Sequence, residues 1–317
     1  MVRLRMVIDC FKEAWAFLRQ SGRQTFLKLL EINIYSAIVL LFFVLLGIGA
    51  AFGLNLLTKP TGDINELSVL LATFDLMAVI LGTIALILVF AVLAISGVFL
   101  STVIDSVSYN IVDGMFSGKS ISIKSQFKKN FFPMLRWFIF WLVISGIIFS
   151  FYAAFLVYVF TEAMNNPAVI EEYEGGSGSI RVVGNLLEGI IGLVAAVVGF
   201  FLTFAMYELV IARQGLFPSM SRSISLVKNN FIETLAFLSV LEIITTVIAL
   251  PLAIVLIIGI FALAMVAIAS SGMLIWIVIL GGLPLLALLI ALGVLEQTII
   301  LPATYIYWKK LQSKEQI

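Results

Sequence analysis

The chain contains no histidine and one cysteine, Cys10. The first absence removes the commonest general base, the usual zinc ligand and every Ser-His or Cys-His nucleophile pair. The second excludes an internal disulfide framework and a multi-thiolate metal site. Charge is scarce as well: Asp, Glu, Lys and Arg make up 12% of 317 residues, against ~25% in soluble domains. A net charge of +1 gives no ground for a nucleic-acid partner. No catalytic constellation or cofactor motif stands out, so the expectation is a protein that is not an enzyme and carries no cofactor.

What the chain has in quantity is apolar surface. Hydrophobic residues are 62% of the total, more than a soluble core of this length can hide, and several runs exceed the ~18 residues that mark a spanning helix. The first run begins near Leu29 and is too long for the core of a signal peptide, so it reads as a span. Six spans are expected, at roughly 29–57, 76–109, 133–160, 186–212, 232–267 and 273–307, giving an all-α polytopic membrane protein in a single domain over 1–317. Pro251 should kink the fifth span, and Gly281, Gly282 and Pro284 should break or bend the sixth.

Basic residues set the orientation. Of 19 Lys and Arg, all but Lys59 and Arg181 fall in the amino-terminal segment, the second and fourth connections with their helix flanks, or the carboxyl tail. By the positive-inside rule both termini are expected in the cytoplasm of a multi-pass protein of a prokaryotic cell membrane. The outward connections are acidic, with Asp63, Glu66 and Asp75 in one and Glu162, Glu171, Glu172 and Glu174 in the other, which also holds the flexible stretch Gly175–Ser179.

The spans fall into three pairs, as approximate repeats over 1–109, 110–212 and 213–317. Thr25-Phe26, Asn130-Phe131 and Asn230-Phe231 recur at spacings of 105 and 100 residues, and Thr and Asn are suited to capping a helix start. The even spans carry Gly97 with Ser101, Gly199 with Thr203 and Gly293 with Gln297, each a small residue with a polar one four positions on. That spacing permits close helix packing and an interhelical hydrogen bond. Before each odd span lies a basic, half-apolar segment, expected to be an interfacial helix on the inner leaflet. Lys124, Lys128, Lys129, Arg222 and Lys228 in these segments are candidate ligands for anionic lipid headgroups.

Three pairs of spans match the plan of mitochondrial carriers, but no Pro-x-Asp/Glu-x-x-Lys/Arg signature ends the odd spans. Instead, the approach Ser223-Ile224-Ser225-Leu226-Val227-Lys228-Asn229-Asn230 and the closing Pro302-Ala303-Thr304-Tyr305-Ile306-Tyr307 resemble uncharacterised prokaryotic six-span proteins. These are related to the membrane domain of some glycerophosphodiester phosphodiesterases. The resemblance implies six spans over most of the chain and no phosphodiesterase activity, since the chain has neither room for the catalytic barrel nor a histidine.

A few intramembrane charges remain. Glu31 and Arg136 lie at equivalent depths near the inner surface and are candidates for an ion pair, while Asp105 and Glu208 are expected to snorkel from the inner ends of their spans. Glu242 and Glu296 each sit about 11 residues from the inner end of a span, or roughly 16 Å deep at ~1.5 Å per residue. A carboxylate there costs ~2.5–3.5 kcal/mol and should face the bundle interior. With Thr245, Thr246 and Gln297 beside them, they are candidates to hold a proton, a cation or a polar group. The functional expectation is a transporter or lipid-handling protein, with membrane lipids, a proton, a cation or a lipophilic small molecule as partners. The alternative is a noncatalytic membrane scaffold.

Overall fold

A computed structural model describes residues 2–58, 76–165, 179–269 and 274–315; the acidic outward connections from Lys59 to Asp75 and across Glu171, Glu172, Glu174 and Gly175 to Gly178 lie outside them. The described residues form helices α1 (Val2–Thr58), α2 (Leu76–Phe116), α3 (Ile123–Asn165), α4 (Ser179–Phe201), α5 (Ala205–Val210), α6 (Leu216–Asn229), α7 (Phe231–Ala269) and α8 (Leu274–Glu315), with no strand among them. Six of these helices are long and apolar enough to cross a membrane, which makes this a multi-pass membrane protein. Their outer faces carry bare Phe149, Val157, Leu193 and Phe261, side chains that water would not tolerate in such density and lipid does.

Two of the three expected interfacial helices are not separate. The amphipathic residues 7–19 continue into the first span as one 57-residue helix, and Ile123, Phe127 and Phe131 likewise open α3. Between stripe and span in α1 the only breaker is Gly22, and a lone interior glycine costs ~1 kcal/mol, too little to stop a helix otherwise rich in good formers. At ~1.5 Å per residue the path of α1 is about 85 Å, far more than the ~30 Å hydrocarbon layer needs. Only the third segment is discrete, as α6. The fourth span ends early, at Phe201, where the chain turns through Leu202–Phe204 before the short α5. The sixth stays helical through Gly281, Gly282 and Pro284, and the fifth through Pro251.

Of Thr25, Asn130 and Asn230, only Asn230 occupies an N-cap position, and its side chain does not cap the helix. Thr25 lies inside α1, where its hydroxyl donates to Ser21 O at 2.9 Å and meets Met115 Sδ at 3.1 Å. Asn130 lies inside α3. Asn230 alone stands at a helix boundary: its backbone N–H donates to Val227 O, its side-chain amide to Leu226 O, and its carbonyl accepts from Thr234 N–H at 2.8 Å. It joins α6 to α7 without its side chain accepting from either.

The chain divides into two compact units, each drawn from separate stretches of sequence. The first comprises 1–16, 129–243 and 302–317, and the second 17–128 and 244–301. An aromatic stack centres the first: Phe237 lies parallel to Tyr307 at 4.2 Å and stacks on Phe11 at 5.3 Å, with Phe204 against Tyr307. Around it, three carboxylates from three different helices hold the end of α8. Glu13 takes Lys310 at 2.7 Å, Glu233 takes Lys314 at 2.9 Å, and Glu208 accepts from both Trp308 Nε1 and Gln312 Nε2.

The second unit packs Ile32 of α1 against Ile104, Val107 and Ile111 of α2, with Val39, Ile121, Ile123 and Phe127 against that cluster. Gly97 permits part of this approach, since a Cβ there would stand 3.3 Å from the Phe43 ring. One turn along, Ser101 Oγ meets Ser36 Oγ at 2.6 Å, so the small-plus-polar spacing at Gly97 and Ser101 does join helices. Gly199 and Gly293 face open space. Thr203 bonds only carbonyls of its own helix, Gly199 O and Phe200 O, whereas Gln297 accepts from Asn33 Nδ2 at 2.9 Å.

Candidate functional site

The end of α2 shapes the site. Gly118 adopts φ +65°, Gly118 N–H donates to Met115 O and Lys119 N–H donates to Gly114 O at 2.8 Å. This paired closure is a Schellman motif, and glycine suits it because a Cβ is strained in the left-handed region. The chain leaves α2 abruptly, carrying Lys119, Ser120 and Ile121 back against α1 before Ser122 opens α3. Gly114 is required by the same return, because a Cβ there would overlap the Ile121 side chain and stand 3.0 Å from Lys119 O.

Two cavities result, both inside the second unit. The larger, of about 540 Å³, is a groove walled by Ile38, Val39, Ile104, Val107, Ile123 and Phe127. Its polar residues are Lys28, Glu31, Tyr35, Ser122 and Lys124. Lys28, Tyr35, Ile38 and Lys124 are all exposed, so the groove opens along its side. The smaller, of about 380 Å³, is lined by Ser21, Gln24, Lys119 and Ser120 with Ile111, Gly114, Met115 and Gly118. Lys28 and Ile121 line both, so they stand between the two cavities.

Lys28 Nζ lies 3.3 Å from Glu31 Oε2, both side chains nearly half exposed. An exposed i,i+3 pair of this kind holds by ~0–1 kcal/mol, so an arriving anion can compete for the ammonium. One residue beyond groove-lining Tyr35 and Ile104 stand Ser36 and Asp105, and the Asp105 carboxyl shares hydrogen bonds with Ser36 and Ser101. Together with Asn33 and Gln297 they form a polar seam joining α1, α2 and α8 in the apolar unit.

The residues singled out from sequence are distributed differently. Lys124 lines the groove. Lys128, Lys129 and Lys228 are exposed, while Arg222 is half-buried with its Nε 3.8 Å from Glu208. Glu208 does not snorkel. It is fully buried, and its Oε2 has no hydrogen-bond partner. Glu31 takes Lys28 as its partner, and Arg136 is exposed. Glu242 is exposed on α7 in the first unit; Glu296 is half-buried on α8 in the second. Thr246 is exposed, Thr245 half-buried, and Gln297 belongs to the polar seam. Sequence reasoning missed Asn33, Ser36 and Lys28. The signal was present as a run of polar residues, Lys28, Glu31, Asn33 and Ser36, intruding on the start of an apolar stretch.

Residues 2–308 match the family of unknown function DUF7544, and the chain belongs to that family. No curated protein and no solved structure matches it. The class defined by fold and family is therefore an all-helical, multi-pass membrane protein of the DUF7544 family, with six helices among the described residues long and apolar enough to span.

Proposed function

We propose that the protein handles lipid, holding one membrane lipid in the groove of the second unit. The observation that carries this reading is the union, in one laterally open groove, of two lysines with a wall of aliphatic and aromatic side chains. An anionic amphiphile matches both parts, its tail taking the apolar wall and its head the lysines. Ten residues separate Lys28 from Ile38 along α1, about 15 Å at helical rise, comparable to the depth of one leaflet. An acyl chain along Ile38, Val39 and Ile104 thus leaves its phosphate at Lys28 and Lys124.

Positive-inside orientation places that polar end at the inner leaflet, where anionic lipids gain ~1 kcal/mol per nearby Lys or Arg. Neither cavity is lined by Glu242 or Glu296, which favours lipid handling over coupling to a proton or cation through those carboxylates. The test is photolabelling in nanodiscs with a phospholipid bearing a diazirine on its acyl chain. Label should concentrate on Ile38, Val39 and Phe127. Labelling no greater there than on exposed Leu193 and Val194 of α4 would refute the reading.

A further inference from the structure

The smaller cavity differs from the groove in chemistry. Its lining offers two hydroxyls, Ser21 and Ser120, the Gln24 amide and the ammoniums of Lys28 and Lys119, and no carboxylate. The Gly118 closure fixes the backbone on which Lys119 and Ser120 stand, so this polar face is set by the fold. Lys28 lies between the two spaces. A phosphodiester bound there has one substituent directed into the apolar groove and the other into the polar cavity.

We infer that the preferred lipid carries a neutral, hydroxylated headgroup on its phosphate, such as glycerol, and that the smaller cavity receives it. This rests on the reading of the groove as an acyl-chain site. The phosphate stays at Lys28 and Lys124, and the headgroup hydroxyls exchange hydrogen bonds with Ser21, Gln24, Lys119 and Ser120 of the smaller cavity. A choline headgroup is disfavoured, because its fixed positive charge would enter a cavity lined by two lysines and no carboxylate, Glu31 lining the groove instead. The volume of about 380 Å³ falls at the small end of the ~300–1,000 Å³ range of ligand pockets, in keeping with a headgroup and not a whole lipid.

The experiment measures binding of fluorescent phosphatidylglycerol, phosphatidic acid and phosphatidylcholine with identical acyl chains to the purified full chain in neutral detergent. Glycerol 3-phosphate and inorganic phosphate serve as soluble competitors. Phosphatidylglycerol should bind about tenfold more tightly than phosphatidylcholine, and more tightly than phosphatidic acid. Lys119→Gln with Ser120→Ala should erase that order while leaving acyl-chain binding in place; both positions are exposed, so folding is not at stake. Equal affinity for phosphatidylglycerol and phosphatidylcholine, or an unchanged order in the double variant, would overturn the inference and leave the groove reading standing. Equal affinity for phosphatidic acid would overturn the role of the headgroup hydroxyls. Displacement by glycerol 3-phosphate at concentrations comparable to the lipid would show a soluble phosphate ester as the ligand and overturn the assignment to a lipid. Binding of none of the three lipids would fail the groove reading itself.

Discussion

The indole N–H of Trp308 donates to Glu208 Oε1 at 2.8 Å, and Glu208 is completely buried. The same oxygen accepts from Gln312 at 2.9 Å, one helical turn further along α8. A charge-bearing group placed so far from water is retained when partners meet it, and two donors on one face of α8 together with nearby Arg222 do so here. Glu208 thereby fixes the rotation of the final helix against α5.

Glu208→Ala removes the acceptor for both donors and should cost about 3 kcal/mol. Glu208→Gln keeps a carbonyl oxygen in place and should cost less. Thermal unfolding in detergent reads the order: alanine lowest, glutamine intermediate, wild type highest. A Glu208→Ala midpoint equal to wild type would remove this role.

Arg213 has φ +57°, a conformation that costs a non-glycine residue about 1–2 kcal/mol, and its Nη1 donates to Asn130 Oδ1 at 2.8 Å. It also reaches Lys129 O at 3.5 Å, the carbonyl that Pro133 leaves without its helical N–H donor. Arg213→Ala keeps the strained backbone and loses the contacts, whereas Arg213→Gly loses the contacts but relieves the strain. Unfolding midpoints should therefore rank wild type, glycine, alanine, highest first. Alanine equal to glycine would show that the strain carries no weight.

The sequence made the spans legible because apolar runs longer than ~18 residues have few alternatives. The site was less legible. Lys124 stood out from its basic segment, but the groove depends on Gly118 turning the chain back and on Ile121 returning to the core, neither of which leaves a periodic signal. Thr25 and Asn130 show the opposite error. Their residue types fit helix starts, yet the surrounding sequence lacks a breaker strong enough to end the preceding helix, so both became tertiary contacts inside long helices. Glu208 is a related case: its place near a span end suggests snorkelling, while the partners that hold it buried, Trp308 and Gln312, lie a hundred residues away in sequence.

Asn33→Leu deprives Gln297 of its partner across α1 and α8. Interhelical hydrogen bonds in membrane proteins contribute about 0.6 kcal/mol on average and up to ~2. The variant should unfold at a slightly lower temperature, and Asn33→Leu combined with Gln297→Leu should recover most of the loss. Failure of the double variant to recover would mean that Asn33 acts elsewhere than through Gln297.

Gly118→Ala places a Cβ in the left-handed conformation at φ +65° and should cost about 1–2 kcal/mol. Space is not the obstacle, as nothing lies within 4 Å of that Cβ. The loop bearing Lys119 and Ser120 should shift or loosen, so amide hydrogen exchange over 117–122 should rise while that of α6 stays unchanged. Unaltered exchange across 117–122 would contradict the Schellman closure as the element that sets the smaller cavity.

The central claim is that one lipid is held at Lys28 and Lys124 with its chain along Ile38. Native mass spectrometry of the detergent-extracted protein tests it most directly, by counting phospholipid retained on wild type, on Lys28→Glu with Lys124→Glu, and on Ile38→Trp. The account predicts one phospholipid on wild type and its loss from both variants, which alter opposite ends of the same groove while leaving the fold intact at exposed positions. A wild type that retains none, or variants that retain lipid to the same extent as wild type, would contradict it.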